Sequence, residues 1–335
     1  MKRIFLAIIL LLVAAVLFFF TGVPKPAEKI LWGITFSHSY ARDLGLDWRQ
    51  TYLALLDDLG VRNIRIPLYW NELEREEGAF DFSLWDWQLQ ELEKRQGKAI
   101  IAIGVKLPRW PECHIPEWAR GLSQEKRQEA VLSMLQEVVE HYKNWNVIEK
   151  WQVENEYTAS SGICPKLDVS LLPKEVHLVR TLDQRQIILQ DEGIASSWFF
   201  AGEYADIIGI SMYRFRASET LGLIHYPFPP AIFQRKAQLF HMKYPNKKVI
   251  ITELQAEPWP VTGTVEGDYR TMDPQRFQQH IAYAKRTGFD EFYLWGAEWW
   301  YWLKIHGENA IWNEAKELYN EIYLLNFLHA KTHLS

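Results

Sequence analysis

The sequence is poor in the residues that build metal centres and phosphate sites. It has only two cysteines, Cys113 and Cys164, and its ten histidines fall without an HxH or HExxH spacing. Such a pattern gives no reason to expect a metal. A GxSxG elbow is also missing, which argues against a serine nucleophile of the α/β-hydrolase type. The first apolar run after the leader, ILWGITFS (30–37), continues into HSYARDLG rather than a glycine-rich phosphate turn. A doubly wound dinucleotide-binding sheet is therefore the weaker reading, and no cofactor is expected. Excess positive charge is missing as well: 37 Lys and Arg stand against 42 Asp and Glu, a formal net charge of −5, so no nucleic-acid partner is expected. No Pro/Gly/Ser-rich linker divides the chain.

Aromatic side chains, by contrast, are abundant. The 16 Trp, 15 Tyr and 17 Phe make 14% of the chain, more than packing requires, and flat aromatic faces suit the apolar faces of sugar rings. At the N-terminus, Lys2 and Arg3 precede an uncharged run from Ile4 to Val23, closed by Pro24, Lys25 and Pro26. About 20 helical residues span roughly 30 Å, enough to cross a bilayer. Residues 1–24 are expected to be a transmembrane signal anchor. A cleaved signal peptide followed by secretion is the alternative, although its apolar stretch is usually only about 7–15 residues. Basic residues ahead of the run place the N-terminus in the cytoplasm and the remainder outside the membrane.

Beyond the leader, eight short aliphatic runs alternate with amphipathic segments. They are 30–37, 63–70, 98–107, 147–155, 185–191, 206–213, 248–254 and 291–297. Eight βα units predict a (β/α)8 TIM barrel over residues 30–325, with 326–335 as a C-terminal tail. Barrels of this kind carry their chemistry where the strands end. The candidates there are His38, Arg65, Trp70, Lys106, Arg109, Trp110, Asn155, Glu156, Asp191, Glu192, Tyr213, Glu253 and Trp295. Glu156 closes the fourth run and Glu253 the seventh, on different sides of the barrel mouth. Two facing carboxylates are the equipment for cleaving a glycosidic bond, one as general acid/base and one as nucleophile. Period-two alternation turns Glu154 away from its neighbours, which suits a structural role, and Glu257 lies beyond its strand in the loop. Lys106 and Arg109 are expected to pair with surface acids. Cys113 and Cys164 fall in loops that follow adjacent strands; a disulfide is expected in an extracytoplasmic compartment, with two free thiols as the other possibility.

The pair Asn155-Glu156, a Glu after the seventh strand, and the segment GVRNIRIPLYWNELEREEGAFDF (60–82) together resemble the retaining clan A glycoside hydrolases, which include family 5 cellulases and mannanases and family 42 β-galactosidases. SMY (211–213) and the Trp295 strand resemble the clan's sixth and eighth strands. The resemblance implies that Glu156 is the acid/base, Glu253 the nucleophile and Asn155 a contact to the sugar 2-OH. Arg65 and Tyr213 would orient the nucleophile, and Trp295 would form the floor under the sugar. Trp70, His38 and Trp110 are further candidates for substrate contact. The implied partner is an oligo- or polysaccharide. Tyr157 stands where the clan commonly has Pro, and GVKLPRWPECH (104–114) departs from the His-bearing third segment of family 5. An envelope transglycosylase using the same residues, and a catalytically silent sugar-binding barrel, are the other readings.

Overall fold

Alternating aliphatic and amphipathic segments close into a parallel barrel. The computed structural model describes residues 2–218, 222–259 and 271–320. An apolar helix α1 (Lys2–Phe20) comes first. It is followed by β1 (Leu31–Thr35), α2 (His38–Asp43), α3 (Trp48–Asp57), β2 (Asn63–Pro67), α4 (Trp70–Leu73), α5 (Ser83–Lys94) and β3 (Lys98–Ile103). Next come α6 (Glu117–Arg120), α7 (Gln124–Tyr142), β4 (Ile148–Asn155), α8 (Leu172–Leu182), β5 (Ile187–Asp191), α9 (Phe199–Tyr204) and β6 (Ile207–Met212). A hairpin of β7 (Phe215–Ser218) and β8 (Gly222–His225) precedes α10 (Ala231–Lys243), β9 (Lys248–Gln255), α11 (Pro274–Lys285), β10 (Glu291–Trp295) and α12 (Ala297–Ile305). Residues 310–320 form a further helix.

The barrel strands run in the order β1-β10-β9-β6-β5-β4-β3-β2 and close on themselves, all parallel. Each of the eight apolar runs holds one of these strands, and closure excludes an open sheet. The β7–β8 hairpin was not anticipated, and the expected tail 326–335 lies outside the described residues. Local chemistry sets the element ends. Asp47 accepts from the N–H groups of Arg49 and Gln50 to start α3, and Asp273 accepts from Arg276 to start α11, satisfying donors that a helix N-terminus leaves open. The second run was expected to stay extended to Trp70, but β2 ends at Pro67 and Trp70 opens α4.

The barrel interior is layered. A lower apolar layer contains Ile100, Ile188, Ile207, Ile250 and Tyr293. Tyr293 fits because β1 carries Gly33, where a Cβ would lie 2.6 Å from the Tyr293 ring and 2.7 Å from the Asn63 carbonyl oxygen. Above it is a polar layer in which Arg65, Gln152, Gln190 and Thr252 are all buried. That layer supports the mouth.

Candidate active site

The fourth strand ends irregularly. Its pairing with β5 shifts between Val153 and Asn155, and Glu154 and Glu156 take left-handed backbone angles, φ 59° and 44°. Non-glycine residues in that region are strained, and such strain concentrates at functional sites. The bulge turns Asn155 inward, so that Asn155 and Gln152 share the Arg65 guanidinium despite lying three positions apart.

Arg65 is the hub. It is fully buried, and it donates from Nη1 to Glu253 Oε1 at 3.0 Å, from Nη2 to Asn155 Oδ1 at 2.6 Å and from Nε to Gln152 Oε1 at 2.6 Å. One side chain from β2 thereby joins the ends of β4 and β9. Tyr213, just beyond β6, donates its hydroxyl to the other oxygen of Glu253 at 3.1 Å. Burial and the Glu253 charge push that phenol well above its usual range, so it remains a neutral donor. Glu156 accepts from Ser211 Oγ at 2.8 Å. Burial, then the nearby Glu253 charge, push the Glu156 carboxyl up to about 8. The mouth therefore holds one carboxyl with a fixed counter-charge and one that keeps its proton near neutrality, a pairing suited to dividing nucleophilic and acid work.

A second cluster flanks this centre. Arg109 was expected to meet surface acids, but it is buried. It pairs with Glu257 and, at 3.1 Å, with Glu298, while its guanidinium carbon lies 3.6 Å from the Tyr40 ring centroid and 4.0 Å from that of Trp295. Trp295 is partly exposed at the end of β10, and Glu257 is committed to Arg109. Lys106 is buried too, but it does meet a partly exposed acid: its Nζ lies 3.4 Å from Glu112 and donates to the carbonyls of Glu156 at 3.0 Å and Ala159 at 2.8 Å and to Ser161 Oγ at 3.1 Å. Both cations lie on the segment 104–116 between β3 and α6, which turns back on itself through an antiparallel bridge of Lys106 with Cys113.

Two residues expected to contact substrate are buried. Trp70 is fully buried and donates to Glu74 at 2.7 Å, its ring against Trp118. His38 is buried among Trp48, Tyr69 and Trp85, with Nε2 3.1 Å from Glu72. Both belong to the shell that holds the loops after β1 and β2. Trp110 is different: it is 66% exposed on the loop after β3. Cys113 and Cys164 are disulfide-bonded, joining that loop to the loop carrying Glu156. Asp191 accepts from the Glu192 N–H at 2.8 Å and lines a small cavity behind β4 and β5 with Glu154 and Phe200. Sequence reasoning missed Gln152, Ser211 and the buried Glu175; the polar side chains inside otherwise aliphatic runs were the available signal for the first two.

No family model matches the chain. Solved structures share its fold. The β-galactosidase from Bacillus circulans sp. alkalophilus aligns with 89% of this chain and 56% of its own, at 11% identity and a TM-score of 0.60. Exo-β-1,4-mannosidase Op5Man5 from Opitutaceae bacterium strain TAV5 aligns with 83% of this chain and 53% of its own, at 14% identity and a TM-score of 0.55. Xylanase 10B from Thermotoga maritima aligns with 80% of this chain and 83% of its own, also at 14% identity and 0.55. The chain thus spans little more than half the length of the first two. At such identities the likeness is one of fold, the closed parallel barrel, shared with proteins named as glycosidases.

Proposed function

We propose that the protein is a retaining glycoside hydrolase of the clan A type, cleaving a β-linked oligo- or polysaccharide by double displacement. The observation that carries this is the Arg65 bridge between Asn155 and Glu253, with Glu156 and its raised carboxyl on the facing strand end. In this reading Glu253 attacks the anomeric carbon while Glu156 protonates the departing glycosidic oxygen. A glycosyl ester forms on Glu253, and Glu156, now a base, draws a proton from the water that releases the sugar. Asn155 contacts the sugar 2-OH, Arg65 and Tyr213 hold the nucleophile, Trp295 floors the sugar site, and exposed Trp110 contacts substrate further along the rim. The barrel over residues 30–325 is the catalytic domain, held outside the membrane by the 1–24 anchor.

Aryl β-glycosides and azide test the assignment with the detergent-solubilised full chain. Wild type should release the β-anomer first. Glu253→Ala should lose hydrolysis and recover rate with azide, giving an α-glycosyl azide. Glu156→Ala should recover with azide as the β product, chiefly on substrates whose leaving group needs no protonation. Interchanged stereochemistry would reverse the two roles, and wild-type activity in either variant would remove that residue from the mechanism.

A further inference from the structure

Behind the mouth, on the outer side of β4, lies a buried carboxyl that the proposed reaction does not use. Glu154 accepts from the Val105 N–H at 2.7 Å with one oxygen and from the Lys106 N–H at 2.6 Å with the other. The preceding residue is Gly104, φ 133°, where a Cβ would lie 2.4 Å from the same carboxylate. The carboxylate thus occupies the space that any other residue at 104 would fill. From the far side of this contact the Asn155 N–H donates to the Lys106 carbonyl at 2.7 Å, and Lys106 Nζ donates to the Glu156 carbonyl at 3.0 Å. Four bonds therefore join residues 105–106 to residues 154–156, which include both left-handed residues of the bulge.

We propose that Glu154 is a positioning residue: by clamping the end of β3 to the β4 bulge it sets where the Glu156 carboxyl stands. The inference rests on the assignment of Glu156 as acid/base. Only a carboxylate can fill the clamp, because both of its oxygens accept, whereas an amide would turn an NH2 group toward one of the two N–H donors. Burial raises the Glu154 carboxyl to about 7, while the Val105 and Lys106 N–H bonds pull it down, so the clamp is fully charged above that pH, where charge assistance makes each bond stronger than its neutral counterpart. Glu175, fully buried on α8, lies close enough to Glu154 to feel its charge. Burial and the Glu154 charge keep its proton in place, so no second negative charge opposes the clamp.

The test compares aryl β-glycosides with good and poor leaving groups on the full chain. A displaced acid harms only substrates that need protonation. Glu154→Gln should lose roughly a hundredfold in kcat/KM on the poor leaving group, at the lower end of what general acid catalysis supplies, and less than about threefold on the good one, with its basic pH limb moved. Glu175→Gln, which keeps an uncharged side chain of the same size beside Glu154, should leave the ratio unchanged. Lys106→Met, which removes the tie to the Glu156 carbonyl, should repeat the signature and decides the matter if Glu154→Gln does not fold. Equal losses on both leaving groups with an unmoved pH limb would overturn the proposal. Hydrogen exchange over residues 150–160 should accelerate in Glu154→Gln whether or not a glycoside is turned over. If wild type hydrolyses nothing while this exchange result holds, the enzyme assignment fails and the clamp stands. Unchanged exchange sinks the clamp itself.

Discussion

Arg65 carries a full charge in a place with no access to water, and the arrangement works because every arm of its guanidinium is occupied. Removing one partner of a buried ion pair costs about 3–5 kcal/mol, since the remaining charge is left uncompensated. Glu253→Ala should accordingly melt earlier than wild type as well as lose activity, and azide rescue is to be measured below that transition. Glu156 is governed by different terms. Burial and Glu253 raise its carboxyl, whereas the Ser211 hydrogen bond lowers it. The acid form is present below the raised value, so kcat/KM should fall as pH rises through about 8. Ser211→Ala deletes a contact that favours the charged form, so its basic limb should lie at higher pH than that of wild type. A limb that stays in place or moves down would show that Ser211 does not donate to this carboxyl. At this scale the meeting of Glu253, Asn155, Arg65 and Tyr213, with Glu156 at the end of β4, was legible in the sequence as a position, because the ends of aliphatic runs mark the mouth. The burial of His38 and Trp70 was not: position beyond a strand says nothing of whether the following turn folds back into the core.

Among the elements, the loops after β3 and β4 behave as one unit. The disulfide is joined by the Lys106 bonds, by Ser161 Oγ donating to Glu112 at 2.8 Å, and by the Ile163 N–H donating to the Pro111 carbonyl at 2.9 Å. Eight strands could be read from aliphatic runs because a parallel strand is buried on both faces and shows it in composition. The bulge in β4 could not. Strict alternation puts Gln152 and Glu154 on one face, yet the register shift at Glu154 groups Gln152 with Asn155 on Arg65. The cysteine pairing was legible only as an expectation from loop adjacency. Closing a loop with a sequence separation of 51 is worth about 4 kcal/mol on chain-entropy grounds. Cys113→Ser should therefore lower the melting temperature by several degrees. Because Lys106 still ties the loop to Glu156, hydrolysis of an activated glycoside should fall by less than about threefold. A melting temperature equal to that of wild type would show that the Lys106 network alone holds the two loops.

For the whole molecule, the helix ahead of the barrel bears on the compartment. Helix α1 offers an 18-residue window, Arg3–Phe20, with mean hydropathy 2.9 and none of it buried. Among the described residues its C-terminal end meets the barrel, where Phe18 lies under Arg235 and Phe20 lies beside Phe228. Large apolar side chains all around a helix have no reason to face water when burying each one is worth about 1.5–3 kcal/mol, and a helix apolar on every side belongs in a core or a bilayer. Among the described residues the barrel covers little of it, so a bilayer is the environment we expect for this helix, with Lys2 and Arg3 holding its start on the cytoplasmic side. The disulfide agrees with a barrel on the oxidising side. We expect the full chain to remain with membranes after high-salt and alkaline carbonate washes, and to be degraded by protease added to the outside of spheroplasts while a cytoplasmic marker survives. A soluble mature form starting near residue 24 would instead establish a cleaved signal. A carbonate-resistant chain protected from external protease would place the barrel on the cytoplasmic side and remove the compartment argument for the disulfide.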